Sequence, residues 1–77
     1  MTQERKNTEA ESSYRYLISQ LTDACIQKGW TQYELAKRSG VPHTTISRIE
    51  ALEYQPLLET LLKIADALGF YVKIVDK

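Results

Sequence analysis

The sequence predicts an all-α domain of four to five helices followed by one C-terminal β-strand. Three observations favour this fold class: apolar residues recur at spacings of three and four along most of the chain, glycine follows three of these segments, and an alternating pattern begins only after Gly69. With 77 residues, of which 43% are hydrophobic, the chain can form one modest core and is too short for two domains.

The first helix is predicted to run from about residue 13 to residue 28, within a helical domain over residues 12–69. Its apolar residues share one stripe: Tyr14, Leu17, Ile18, Leu21, Ala24 and Cys25. Gly29 then ends the helix. Residues 1–11 are almost free of apolar side chains and mix both charge signs, so we expect a flexible N-terminal tail there.

The second helix carries the most specific local signal in the chain. Thr31 is the expected N-cap, and Glu34 follows three residues later as its partner in a capping box. Trp30 is expected to pack on Leu35 as a hydrophobic staple. Gly40 is expected to end this short helix.

Two prolines mark the entries of two further helices. Pro42 opens a third helix over residues 43–51, because its missing N–H needs no acceptor in a first turn. Pro56 opens a fourth, which ends at Gly69. The fourth helix is predicted to bury a wide apolar face, made of Leu57, Leu58, Leu61, Leu62, Ile64, Ala65 and Leu68.

The last segment, residues 70–77, is predicted to be a dimerisation strand. The segment is rich in β-branched and aromatic residues, and Phe70, Val72 and Ile74 alternate with Tyr71 and Lys73. The sequence offers no second strand to pair with it. The same strand in a second copy is the economical partner, because a lone strand leaves its backbone unpaired. The expected homodimer interface consists of Phe70, Tyr71, Val72, Lys73, Ile74 and Val75. The alternative is that this segment docks on the first and fourth helices of its own chain.

Composition excludes several classes of protein. The chain has one cysteine, Cys25, and one histidine, His43, so we expect no disulfide framework, metal site, cofactor or catalytic centre, and hence no enzyme. Cys25 is expected to be a buried structural thiol. No apolar run is long enough to span a membrane and no signal peptide is recognisable, so a cytoplasmic location is expected.

The net charge is zero, but the charges are unevenly distributed along the chain. Residues 28–48 hold four lysines and arginines against one acidic residue, Glu34, whereas residues 49–66 are acidic. The third helix has two faces of opposite character: Ile46 and Ile49 lie on one, and the other is small and polar with Arg48 near its end. Such a face can enter a DNA major groove.

These residues carry a family resemblance. Thr31-Gln32-x-Glu34-Leu35-Ala36, followed by Gly40-Val41-Pro42-x-x-Thr45-Ile46-Ser47-Arg48-Ile49-Glu50, resembles the helix-turn-helix of phage repressors and Cro proteins, the XRE family. The similarity extends over about residues 13 to 69 and implies a lambda-repressor-like fold. The strand after Gly69 further resembles HipB-like and HigA-like antitoxins.

The resemblance implies a homodimeric repressor that binds an inverted repeat of double-stranded DNA, with a toxin protein as a further partner if the chain is an antitoxin. The implied base-contacting residues are His43, Thr44, Ser47 and Arg48. The implied phosphate-contacting residues are Gln32, Tyr33, Pro42 and Thr45. The alternative is a protein-interaction module that keeps the fold without specific DNA binding.

Three residues depart from the family pattern. Leu52 stands where a glycine often follows the third helix, and Glu53 places a negative charge in a loop that is usually polar or cationic. Cys25 replaces an arginine that commonly pairs with the glutamate at the position of Glu50. Glu50 must therefore be solvated or find another partner. Tyr54, beside the third helix, is expected either to touch the DNA backbone or to cover the core.

Overall fold

The structure is a computed structural model that describes residues 9–76. Within this range the chain forms four helices: α1 (Glu9–Gln27), α2 (Gln32–Ser39), α3 (His43–Glu50) and α4 (Leu58–Ala67). α2 packs against α3 and α4, and α1 packs against α3. The all-α fold class is confirmed.

Helix α1 begins at Glu9, which is earlier than the apolar stripe alone predicts. Two glutamates occupy its first turn, Glu9 and Glu11. Negative charge at this end complements the helix dipole and favours the added turn. Residues 9–11 thus belong to α1, and the remainder of the expected tail, residues 1–8, lies outside the described residues.

Helix α2 begins and ends where its capping residues predict. The Thr31 hydroxyl oxygen accepts a hydrogen bond from the Glu34 backbone N–H at 3.1 Å. At the other end Gly40 adopts a left-handed conformation with φ 78° and donates its N–H to the Ala36 carbonyl. The Glu34 carboxylate accepts from Arg38 Nε, one turn later, where opposite charges attract along the helix. The side chain of Glu34 therefore supports the helix through Arg38 instead of through the predicted capping box.

Replacing Thr31 with alanine removes this N-cap. We expect the variant to lose about 1 kcal/mol of unfolding free energy, because the Glu34 N–H loses its acceptor. Urea unfolding followed by circular dichroism measures the change. Thr31→Ser keeps the hydroxyl and is expected to stay near the wild-type value; equal losses in both variants would contradict a capping role.

One apolar core joins the four helices, and in the described residues it contains no buried polar or charged side chain. The helix-turn-helix contributes Leu35, Val41, Ile46 and Ile49. The remaining members are Ile18, Leu21, Ala24, Cys25, Leu61, Ile64, Ala65 and Leu68. Trp30 and Ala36 are partly buried against this core.

The prediction for the start of the fourth helix was wrong in two respects. α4 begins at Leu58, with Leu57 in an extended conformation at its N-cap, and not at Pro56. Leu57 and Leu58 are 72% and 66% exposed, and Leu62 is also exposed. Three residues of α4 and its C-cap, Leu68, fill the buried stripe, so the broad apolar face predicted from the sequence is only partly used.

Leu52 ends the third helix in the role usually taken by glycine. Its φ is 61°, in the left-handed region, and its N–H bonds to the Ile49 carbonyl. The next N–H, of Glu53, reaches back to the Arg48 carbonyl at 2.9 Å. This is the hydrogen-bond pattern of a Schellman motif. Helix α3 therefore stops at Glu50 although a left-handed leucine costs about 1 to 2 kcal/mol.

Residues 70–76 form no helix or strand in the single chain. Phe70 and Val72 line a groove with α1 residues that include Leu17 and Leu21, so the start of the segment lies along α1. Tyr71 and Ile74 are 98% and 99% exposed. A strand requires a paired neighbour, which the single chain does not supply; the strand and its pairing across a dimer remain predictions.

Candidate nucleic-acid interface

The first turns of α2 and α3 meet through two aromatic rings. Tyr33 stacks on His43 with the ring centroids 3.9 Å apart and the planes 6° from parallel. Tyr33 is exposed, and His43 is partly covered. Two residues that the sequence assigns to different kinds of DNA contact are thus brought together on one surface.

Helix α3 has the two faces that its sequence predicts. Ile46 and Ile49 are buried in the core. On the other face Thr44 and Arg48 are exposed and Ser47 is half-buried. Of the remaining predicted contact residues, Pro42 is exposed and Thr45 is half-buried.

Tyr54 lies beside Arg48. The guanidinium carbon of Arg48 is 5.5 Å from the centroid of the Tyr54 ring, within the range of a cation–π contact. The sequence left open whether Tyr54 covers the core or reaches DNA. The structure shows a contact that was not predicted, between Tyr54 and Arg48, the predicted base-contacting arginine.

Gln32 is the partner of Glu50. The Gln32 side-chain nitrogen Nε2 donates a hydrogen bond to Glu50 Oε1 at 2.7 Å, linking the first turn of α2 to the last turn of α3. Both residues are half-buried. The sequence indicated that Glu50 needed a partner, but it assigned Gln32 only to phosphate.

Cys25 lies in the core near this pair. Its thiol is free and buried, as expected. Burial raises the pKa of the Cys25 thiol, and the negative charge of Glu50 raises it further. The thiol therefore stays protonated at neutral pH, which is consistent with a structural role. Among the described residues no group of His, Cys, Asp and Glu side chains is arranged to hold a metal ion.

Two basic side chains, those of Lys28 and Arg38, contact the Trp30 ring. Lys28 Nζ lies 5.3 Å from the Trp30 ring centroid, and the guanidinium carbon of Arg38 lies 4.3 Å from it. Sequence reasoning treated Trp30 as a packing residue only. The signal that could have revealed these contacts was the basic character of residues 28–48. In the sequence, this segment has basic residues both before and after the only tryptophan.

Comparison with known proteins fits this geometry. A sequence model of the family described as helix-turn-helix matches residues 21–73, which include α2, α3 and α4. The chain belongs to the XRE-type helix-turn-helix family. This is a family of DNA-binding transcriptional regulators and not of enzymes.

The helix-turn-helix protein has curated relatives with similar sequences. It is 42% identical over 66 residues to an uncharacterized HTH-type transcriptional regulator of Haemophilus influenzae, covering 84% of this chain and 67% of that protein. It is 40% identical over 50 residues to antitoxin HipB of Escherichia coli K12, covering 65% of this chain and 57% of HipB. A hypothetical transcription factor of Neisseria meningitidis is 39% identical over 44 residues, covering 57% of this chain and 42% of that protein.

The helix-turn-helix protein thus spans about two thirds of the Haemophilus relative and little more than half of HipB. No solved structure matches the chain significantly. Within residues 9–76, no helix has the length and apolar character needed to cross a membrane.

Proposed function

We propose that this helix-turn-helix protein is a cytoplasmic repressor that binds double-stranded DNA sequence-specifically as a homodimer. The observation that carries the proposal is the division of α3 into two faces. Ile46 and Ile49 anchor one face in the core, while the opposite face is small, polar and accessible, with Arg48 exposed near its end. A helix of this kind fits into a major groove and reaches base edges.

The base-contacting set is His43, Thr44, Ser47 and Arg48. Arg48 is the principal reader, because a guanidinium donates two hydrogen bonds to the edge of guanine. The Tyr33 ring stacked on His43 supports the imidazole at the start of α3. Tyr54 supports Arg48 in the same way.

The phosphate-contacting set is Gln32, Tyr33, Pro42 and Thr45. Gln32 and Tyr33 open α2, whose first backbone N–H groups lack helical acceptors and favour anions. These contacts fix the position of the domain on the duplex but do not read its sequence. Because few cations lie at this surface, we expect a modest dependence of affinity on salt.

Dimerisation follows from the C-terminal segment. Residues 70–75 carry exposed apolar side chains, and pairing with the same segment of a second copy satisfies their backbone groups. A two-fold dimer places two α3 helices in successive major grooves about 34 Å apart. The DNA site is then an inverted repeat.

The similarity to antitoxin HipB supports a further role, as the antitoxin of a toxin–antitoxin pair. The observation that favours a protein partner is the exposure of Leu57 and Leu58, together with Leu52 and Leu62, around the start of α4. The competing function is a protein-interaction module that has the fold but does not read DNA. Arg48 separates the two, because only DNA reading requires it.

The test of the proposal is the variant Arg48→Ala. We expect it to bind a selected inverted-repeat site more weakly, by about 1 to 3 kcal/mol or roughly fivefold to a hundredfold for each half-site, and to discriminate less at one base pair of each half-site. Fluorescence anisotropy with the selected site and with single-base variants measures both effects.

The matched control is Lys63→Ala, which removes one positive charge from the exposed side of α4. It is expected to change affinity by less than about twofold, because Lys63 belongs to neither set of proposed DNA contacts. If the wild-type protein selects no site from a pool of inverted repeats even at low salt, the interaction module is the better account.

A further inference from the structure

Glu50 is a half-buried carboxylate with a neutral partner. Gln32 Nε2 supplies its hydrogen bond at 2.7 Å. Arg38 pairs with Glu34, whereas no lysine or arginine in the described part of the chain pairs with Glu50. A hydrogen bond from an amide satisfies an oxygen lone pair but leaves the negative charge in place.

One side of this carboxylate faces apolar residues. Glu50 borders a narrow crevice whose other walls are mainly apolar: Ile18, Leu21, Thr22, Leu35, Ile46, Ile49 and Ile64. Coulomb interactions are stronger and longer-ranged in such surroundings than in water. The charge acts on a neighbour, since it contributes to the raised pKa of the Cys25 thiol.

Gln32 connects this charge to the DNA-binding surface. Its side-chain amide has two N–H groups, and Glu50 takes one of them. Gln32 is also the first residue of α2, at the helix end whose free backbone N–H groups suit a phosphate. A phosphate bound at this helix end would compete with the Glu50 carboxylate for the Gln32 amide. It would also lie close to the negative charge of Glu50.

We propose that Glu50 lowers the affinity of this surface for DNA, by holding the Gln32 amide and by repelling the phosphate that α2 binds. The inference rests on the proposed function, since it assigns a second role within the same site. Glu50 acts on DNA through Gln32 and through its charge, whereas Arg48 and its neighbours contact the bases.

The variant Glu50→Gln tests the proposal. It removes the charge, keeps nearly the same shape and still offers an oxygen to the Gln32 amide. We expect it to bind the selected inverted repeat about fivefold to tenfold more tightly than wild type at low salt, with a smaller gain at high salt. Glu50→Ala, which also removes the acceptor, is expected to bind more tightly as well.

Glu59→Gln is the matched control, because it makes the same change of charge on the exposed first turn of α4. It is expected to alter affinity by less than about twofold. Thermal unfolding of each variant establishes that a folded protein is compared.

The outcomes separate this inference from the proposed function. If wild type binds DNA and Arg48→Ala weakens binding, but Glu50→Gln gains no more than Glu59→Gln, only the role of Glu50 is overturned. If wild type binds no DNA, the proposed function fails and the role of Glu50 fails with it. A gain specific to Glu50→Gln that declines with added salt supports the inference.

Discussion

Replacing Val72 with proline is expected to convert a dimer into monomers. Proline has no backbone N–H and cannot donate to a strand ladder, and the proposed ribbon over residues 70–75 has few bonds to lose. Sedimentation equilibrium measures the change directly. Val72 lies outside the buried core, so the helical domain is expected to stay folded.

The same substitution is expected to weaken binding to the inverted repeat by about a hundredfold or more. Two linked helices gain from the high effective concentration of the second half-site, and a monomer loses that gain without losing any contact in the first. The affinity of the variant for a DNA duplex with a single half-site is expected to be close to that of one wild-type subunit for the same duplex.

The control for this experiment is Asp76→Pro, which places the same residue just after Val75, the last residue of the expected dimer interface. It is expected to leave both the dimer and DNA binding intact. If wild type is a monomer, or if Val72→Pro stays a dimer with full affinity, the ribbon is wrong and the segment docks on α1 of its own chain, where Phe70 and Val72 already line a groove.

The second large effect is on stability. Ile46 is 1% exposed and fixes α3 to the core, so Ile46→Ala is expected to lower the unfolding free energy by about 2 to 5 kcal/mol. Small domains have about 5 to 15 kcal/mol in total, so this variant loses a large share. Urea unfolding followed by circular dichroism gives the value.

Thr44→Ala provides the contrast, because Thr44 lies on the exposed face of the same helix. We expect it to change stability by no more than about 0.5 kcal/mol while weakening DNA binding. Similar losses of stability in the two variants would contradict the assignment of the two faces of α3.

The parts of the fold that are encoded locally are the parts that the sequence predicts well. Thr31 caps α2 and Gly40 ends it, because both act within a few residues of their own position. The buried face of α3 follows from helical spacing in the same way. By contrast, the exposure of Leu57 and Leu58 depends on how much core the other helices leave for α4, and this is not encoded in local periodicity.

The candidate site follows the same division. The polar face of α3 could be predicted, since it needs only the spacing of Ile46 and Ile49. The bond between Gln32 and Glu50 could not, because it joins residues 18 positions apart and depends on how α2 meets α3. The C-terminal segment has the alternation of a strand, but its expected partner lies in another molecule.

The position of Trp30 gives the protein an optical signal of its own. It is the only tryptophan in the chain, and its ring is within cation–π range of Lys28 and Arg38. Indole fluorescence responds to nearby charge. A DNA phosphate that binds either cation and moves it from the ring therefore changes the emission wavelength and the fluorescence intensity. Binding can then be followed in unlabelled protein, separately from the five tyrosines.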